Sequence, residues 1–217
     1  MVTRRKTNFG RYLVAFVISA SIFVIGLLIG TIFTENKLSS IDKLEQDLRT
    51  QVLTVETQYS IASQNPCALI DSDELNSELY KLDSTLSSLE TDLGKNNEDV
   101  LRLVEYYSLL EVRQWLFVKD ASKKCGKNPI LILFFYSNNA NKCTDCEVQG
   151  YVLTFLRKQY PEKSIYVYSF NTDINNTVIK TMMKVYNVKT LPSIVINDKT
   201  YEGFKDRNQL EKILNIQ

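Results

Sequence analysis

The order of apolar and polar positions divides the chain into three kinds of segment. Residues 12–33 form an unbroken apolar run without a charge, long enough to cross a hydrocarbon core as a helix, which takes about 20 residues. Residues 38–123 are polar, with apolar positions recurring every three to four residues, the period of amphipathic helices. Beyond residue 129, short apolar runs alternate with helix-period stretches, a pattern that predicts strands joined by crossover helices.

The first segment predicts a transmembrane helix over 12–33. Arg4, Arg5, Lys6 and Arg11 precede it without an acid, while charges of both signs follow it. That basic excess assigns residues 1–11 to a cytoplasmic tail and the rest to the outside. A cleaved signal peptide is the competing reading, but the run exceeds an ordinary h-region and no clear small-x-small site follows it. The expected localisation is the cell membrane, single-pass, with the lipid bilayer as one partner and the C-terminal domains extracytoplasmic.

The middle segment predicts a helical stalk of three helices over 38–124. Its first helix places Ile41, Leu44, Leu48, Val52, Val55 and Tyr59 on one stripe. The second alternates steps of four and three through Leu75, Leu79, Leu82, Leu86, Leu89 and Leu93, the seam of a coiled coil or helical hairpin. The third carries Val100, Val104, Tyr107, Leu110 and Trp115 after a turn at Gly94. The seam serves an intramolecular bundle or pairing with a second copy, so a homodimer stays an alternative. Helices going out, back and out again bring Cys67, in the first turn, and Cys125, after the third helix, to the same end. A structural disulfide between them follows. Two free buried cysteines are the alternative, and a four-cysteine zinc site is a weaker one because the paired spacing of zinc ribbons is missing.

Charge and composition narrow the chemistry. With 26 basic and 25 acidic residues the net charge is +1, which gives no reason to expect a nucleic acid partner. The chain has no histidine, which removes Ser-His-Asp and Cys-His catalysis and the common zinc sites together. Cysteine chemistry remains. Cys143-Thr144-Asp145-Cys146 follows the apolar run 130–136 and opens a helical stretch. A thiol at a helix N-terminus is favoured as thiolate by unpaired amides and the helix dipole. Lys142 should favour that thiolate and Asp145 oppose it. No metal and no organic cofactor is expected.

The elements after residue 129 read as strand 130–136, helix 143–160, strand 164–170, helix 175–186, strand 193–197, a turn at 197–199, strand 200–204 and helix 206–215. With a CxxC after the first strand and Thr190-Leu191-Pro192-Ser193 before the third, residues 129–217 resemble a thioredoxin-fold domain. The resemblance implies Cys143 as nucleophile, Cys146 as resolving thiol and a cis Pro192, with Leu191 presenting backbone to an extended substrate. The expected fold class is thus an α/β thioredoxin-like C-terminal domain (β-α-β-α-β-β-α) after a three-helix stalk and a single transmembrane helix. This sequence departs from the family in lacking a tryptophan before the CxxC, in the longer 137–142 loop, and in having no acid within 131–136. Proton transfer from Cys146 would then rely on water or substrate.

The expected function is a membrane-anchored, extracytoplasmic thiol-disulfide oxidoreductase, whose partners are protein substrates with thiols or disulfides and a redox partner protein. The alternative is a helical interaction protein whose thioredoxin-like domain binds partner segments without redox turnover.

Overall fold

The computed structural model describes residues 9–70 and 73–216, except for the side chains of 9, 11, 29–45, 47, 48, 51 and 73–78. Residues 1–8 of the expected basic tail, and the side chains of Ile41, Leu44, Leu48 and Leu75, lie outside these. The chain divides into two compact units, Met1–Asp47 and Leu48–Gln217.

In the first unit the described residues are helical, belonging to α1 (Phe9–Ala62). Among the described residues no helix is long and apolar enough to cross a membrane. This overturns the expected transmembrane helix and the fold class that included it. The chain is instead largely helical, with a small four-stranded sheet near its C-terminus.

In the second unit, the end of α1 is followed by α2 (Pro66–Leu69), α3 (Asp73–Leu93) and α4 (Glu98–Cys125). The short α2 fills what the sequence suggests is a plain turn. Asn97 caps α4 by accepting from the amides of Asp99 and Val100, and Gly126 ends it at φ 66° with its amide bonded to Ser122 O, a left-handed position that glycine takes without a Cβ penalty. Val55, Tyr59, Ala62, Leu79, Leu82 and Leu86 are buried, as are Val100 and Val104 on α4. The apolar stripes of these helices therefore face inward.

Next come β1 (Ile130–Tyr136), α5 (Cys146–Gln159), β2 (Ile165–Asn171), α6 (Thr177–Val185), β3 (Ser193–Ile196), β4 (Lys199–Glu202) and α7 (Arg207–Leu214), with a single 3-10 turn at Pro161–Lys163. The sheet order is β2-β1-β3-β4. β1 and β2 run parallel, and β3 is antiparallel to both β1 and β4. Asn197 and Asp198, at φ 51° and 63°, form the two-residue β3–β4 turn, whose mirror-image geometry needs positive φ at both positions.

Alternation along β1 splits the core in two. Ile132 and Phe134 pack with Leu153 and Leu156 of α5 and Leu210 and Leu214 of α7. Leu133 and Phe135 pack with Ile179 and Met182 of α6, and with Val112 and Trp115 of α4. Hence α4 is a layer of the sheet's own core as well as a partner of α3. Two of its polar contacts reach α6 and β2. Asn176, which caps α6, donates to Glu105 at 2.8 Å, and Glu111 accepts from the Ser169 amide of β2 at 3.0 Å. The second occupies an amide of an edge strand, a group that otherwise invites pairing with another chain.

Candidate dithiol site

Cys143 and Cys146 are disulfide-bonded, with Cα atoms 5.6 Å apart. The helix begins later than the sequence suggests, for α5 opens at Cys146, with Asp145 as N-cap and Cys143 in the turn before it. The Asp145 side chain makes no capping hydrogen bond, which leaves the first-turn amides and the positive helix end to the dithiol. Cys143 is 8% exposed and Cys146 4%, so both thiols are buried, the first slightly less. The Ser137 amide donates to Cys146 Sγ at 3.4 Å, a contact that favours a thiolate at that sulfur.

Register brings a second segment to the same place. Ser193 pairs with Phe135, so Leu191 and Pro192 stand at the C-terminal end of β1, where Ser137 meets Cys146. The Leu191-Pro192 peptide is cis, the conformation the resemblance implies. Pro192 is buried and Leu191 half-buried, while the Pro192 carbonyl accepts from the Gly203 amide at 2.8 Å.

The loop 137–142 is held by Asp173, a residue that sequence reasoning does not single out. Asp173 accepts from Ser137 Oγ at 2.7 Å, from the Asn138 amide at 2.9 Å and from Lys142 Nζ at 2.7 Å. Burial pushes its pKa up, but the hydrogen bonds from Lys142, Ser137 and Asn138 together outweigh this and hold it below the ordinary value. The Lys142 charge expected to help the Cys143 thiolate is therefore engaged by Asp173. Only strand register could reveal Asp173. Tyr136 opposes Asn171, so the loops leaving β1 and β2 start side by side.

The dithiol opens on a cavity of about 450 Å³, walled by α3, α4, α5 and the edge strand β2. Glu111 reaches into it from α4 and is 2% exposed. Its Oε1 holds the Ser169 amide, while its Oε2 has no hydrogen-bond partner. Burial drives its pKa well above the carboxylate range, the Ser169 amide offsetting only part of this. A carboxyl group thus stands in the dithiol cavity although β1 has none. Its signal is in the sequence: Glu111 continues the stripe Val100, Val104, Tyr107, so a charged residue falls where helical spacing calls for a buried apolar one.

The other cysteines lie at the opposite end of α4. Cys67 on α2 and Cys125 are disulfide-bonded, with Cα atoms 5.4 Å apart. Among the described residues no group of His, Cys, Asp and Glu side chains is arranged to hold a metal ion.

No family model and no curated protein matches the chain. Among solved structures it is similar to a malarial protein, at 22% identity over 41% of this chain and 96% of that one, with a TM-score of 0.34. It is also similar to thioredoxin-2, a component of malaria parasite protein secretion machinery, at 26% identity over 41% of this chain and 84% of that one, again with a TM-score of 0.34. In this chain itself the strand order, the dithiol at the start of α5 and the cis Leu191-Pro192 at the same sheet end give a thioredoxin-like fold.

Proposed function

We propose that this chain is a thiol-disulfide oxidoreductase acting on protein thiols and disulfides through Cys143 and Cys146. The observation that carries the reading is the dithiol itself: a closed Cys143–Cys146 pair at a helix start, facing a cavity, with an amide on one sulfur. In the reducing direction the Cys143 thiolate attacks a substrate disulfide, forming a mixed disulfide and expelling one substrate thiolate, which takes up a proton. Cys146 then loses its proton and attacks Cys143 Sγ, with the Ser137 amide steadying the charge on the attacking sulfur. The second substrate thiol leaves, and the protein's two thiols have become its disulfide. The oxidising direction is the reverse, and a redox partner protein restores the starting state. The exchange needs no organic cofactor. Leu191 and Pro192 would present backbone to an extended substrate beside the dithiol. The Cys67–Cys125 bridge favours an oxidising compartment, since disulfides outside the catalytic kind persist there.

Cys146→Ala tests the assignment, because it leaves the mixed disulfide unresolved. Diagonal gels under non-reducing conditions should show partners trapped on Cys143, and adding Cys143→Ser should abolish them. A Cys146→Ala protein that traps nothing would favour the binding-module reading instead. Titration against glutathione and dithiothreitol buffers then sets the direction: a potential near roughly −120 mV marks an oxidant and one near roughly −270 mV a reductant.

A further inference from the structure

The cavity beside the dithiol is a trench with two helical walls. One is α5, whose positions 146, 147, 150, 154 and 157 line it at helical spacing, and the other is α3, through Asp83, Ser87 and Glu90. Lys95, just beyond α3, lies 3.5 Å from Glu147, and the Arg157 guanidinium rests 5.0 Å over the ring of Tyr80. The two helices therefore run side by side in opposite directions, with a contact near each end. The ion pair and Tyr80 are exposed, so these contacts are weak and set the spacing of the walls without sealing the trench. From Cys146 to Arg157 a helix rises about 16 Å, the length of about five residues of extended chain. Gly150, midway along, weakens α5 as a helix, yet a Cβ there would meet only Phe134 Cε1, at an ordinary 3.7 Å. Packing does not call for glycine at this position, and what its missing side chain leaves is room in the trench. Val167 and Ser169 of β2 also line the trench, whereas Leu191-Pro192 leads into β3, and β2 and β3 flank β1 on opposite sides. An extended chain that crosses the dithiol from Leu191 therefore continues into the trench.

We propose that the trench between α3 and α5 holds the extended chain on one side of the substrate cysteine, so that disulfides in unfolded or extended segments, not those on folded surfaces, are the preferred substrate class. The inference rests on the oxidoreductase reading and adds to it a wall from outside the thioredoxin-like domain. Both sulfurs belong to buried residues, below the reach of a disulfide fixed on a rigid surface, while a single extended strand can enter between two helices. Ser87, Thr154 and Asn138 bring polar groups to the trench, which serve peptide units whatever their side chains. Its charges are mixed, Lys95 and Arg157 standing against Asp83, Glu90 and Glu147, so no one type of side chain is selected. The exchange itself is as before: the protein dithiol passes two electrons and two protons to the substrate disulfide, which leaves as two thiols.

The test uses the reduced full-length chain and mixed disulfides of 2-mercaptoethanol with neutral peptides of alanine, serine and asparagine around one cysteine, with hydroxyethyl disulfide as a reference. The flanks are lengthened from none to about five residues on each side, the length the trench takes. The peptide with full flanks should react about ten-fold faster than the unflanked cysteine, the effect of a few added backbone contacts. Ser87→Trp/Thr154→Trp fills the trench from both walls at exposed positions. In this variant the ratio of the two rates should fall towards one, and the ratio is read so that any general change of rate cancels. Equal rates in the unaltered chain, or a ratio that survives the double substitution, overturns the proposal. If the reduced chain turns over not even hydroxyethyl disulfide, the redox reading fails by itself. NMR titration of the oxidised chain with the cysteine-free peptide then decides the trench: amide shifts grouped along 83–90 and 146–157 support the inference, and shifts elsewhere or none overturn it.

Discussion

Cys67 and Cys125 join across 58 residues of chain and tie α2 to the end of α4, whereas Cys143 and Cys146 join across 3 at the start of α5. Greater exposure does not set the proposed redox pair apart. Cys67 is exposed and Cys125 half-buried, while both dithiol sulfurs belong to buried residues. The difference lies in the chain each bond closes and in what surrounds the sulfur. The long bridge removes many conformations from the unfolded chain. The short one restrains little, and instead meets a backbone amide, a helix start and a cavity. A disulfide that contributes little chain entropy and meets much local polarity fits the exchange role proposed for it better than a stabilising one.

The sharpest way to break this comparison is to remove the long bridge. Cys67→Ala/Cys125→Ala should lower unfolding stability by about 4 kcal/mol on the loop-entropy argument, measured by denaturant titration without reductant. The redox equilibrium of Cys143 and Cys146 should stay where it was. A shift in that equilibrium would show that the bridge also tunes the dithiol.

A smaller effect is expected from Glu111→Gln, which asks whether the helical layer belongs to the site. Burial holds the Glu111 carboxyl well above its ordinary value, so the native chain keeps a proton that the unfolded chain releases above about pH 4.3. Native stability therefore falls as pH rises from that value towards the raised one, by up to about 1.4 kcal/mol per unit. The Gln variant lacks this loss, and its stability should be flatter between pH 5 and 8. Parallel curves for the two proteins would mean that Glu111 is ionised in the native state.

The smallest effect belongs to Asp173→Asn. Asp173 is held below its ordinary value, so its contribution is present above about pH 3.9 and is lost as pH falls through the depressed native value. With the side chain 23% exposed and its Lys142 partner 57%, the ion pair contributes only about 0.5 kcal/mol at neutral pH. Hydrogen exchange gives the clearer reading: the amides of 138–142 should exchange several-fold faster in the variant. Unchanged exchange would show that the loop is held by its own turns.

Much of the C-terminal region was legible because its signals are local. The apolar run at 130–136, the Asn197-Asp198 turn and the Asp206 cap each state their own conformation, and β1, the β3–β4 turn and α7 lie where those residues put them. The thioredoxin-like fold follows from that order together with the CxxC and Leu191-Pro192. Residues 12–33 misled, since an apolar run matches the length of a span by composition while no described helix meets that requirement. The helix α5 starts three residues later than the helix predicted from residue 143, because Asp145, at φ −104° and ψ 4°, is not yet helical.

The residues around the dithiol divide in the same way. By itself the sequence determined the candidate chemistry: four cysteines, no histidine, and a CxxC between a strand and a helix, because that chemistry is written in residue type and short spacing. Tertiary structure decided everything that needs two distant segments. It brought Asp173 to Lys142, the Ser137 amide to Cys146, and Glu111 to both the edge strand and the cavity. The physical reason is that helical and strand periods fix which face a side chain takes, whereas register and packing alone fix what that face meets.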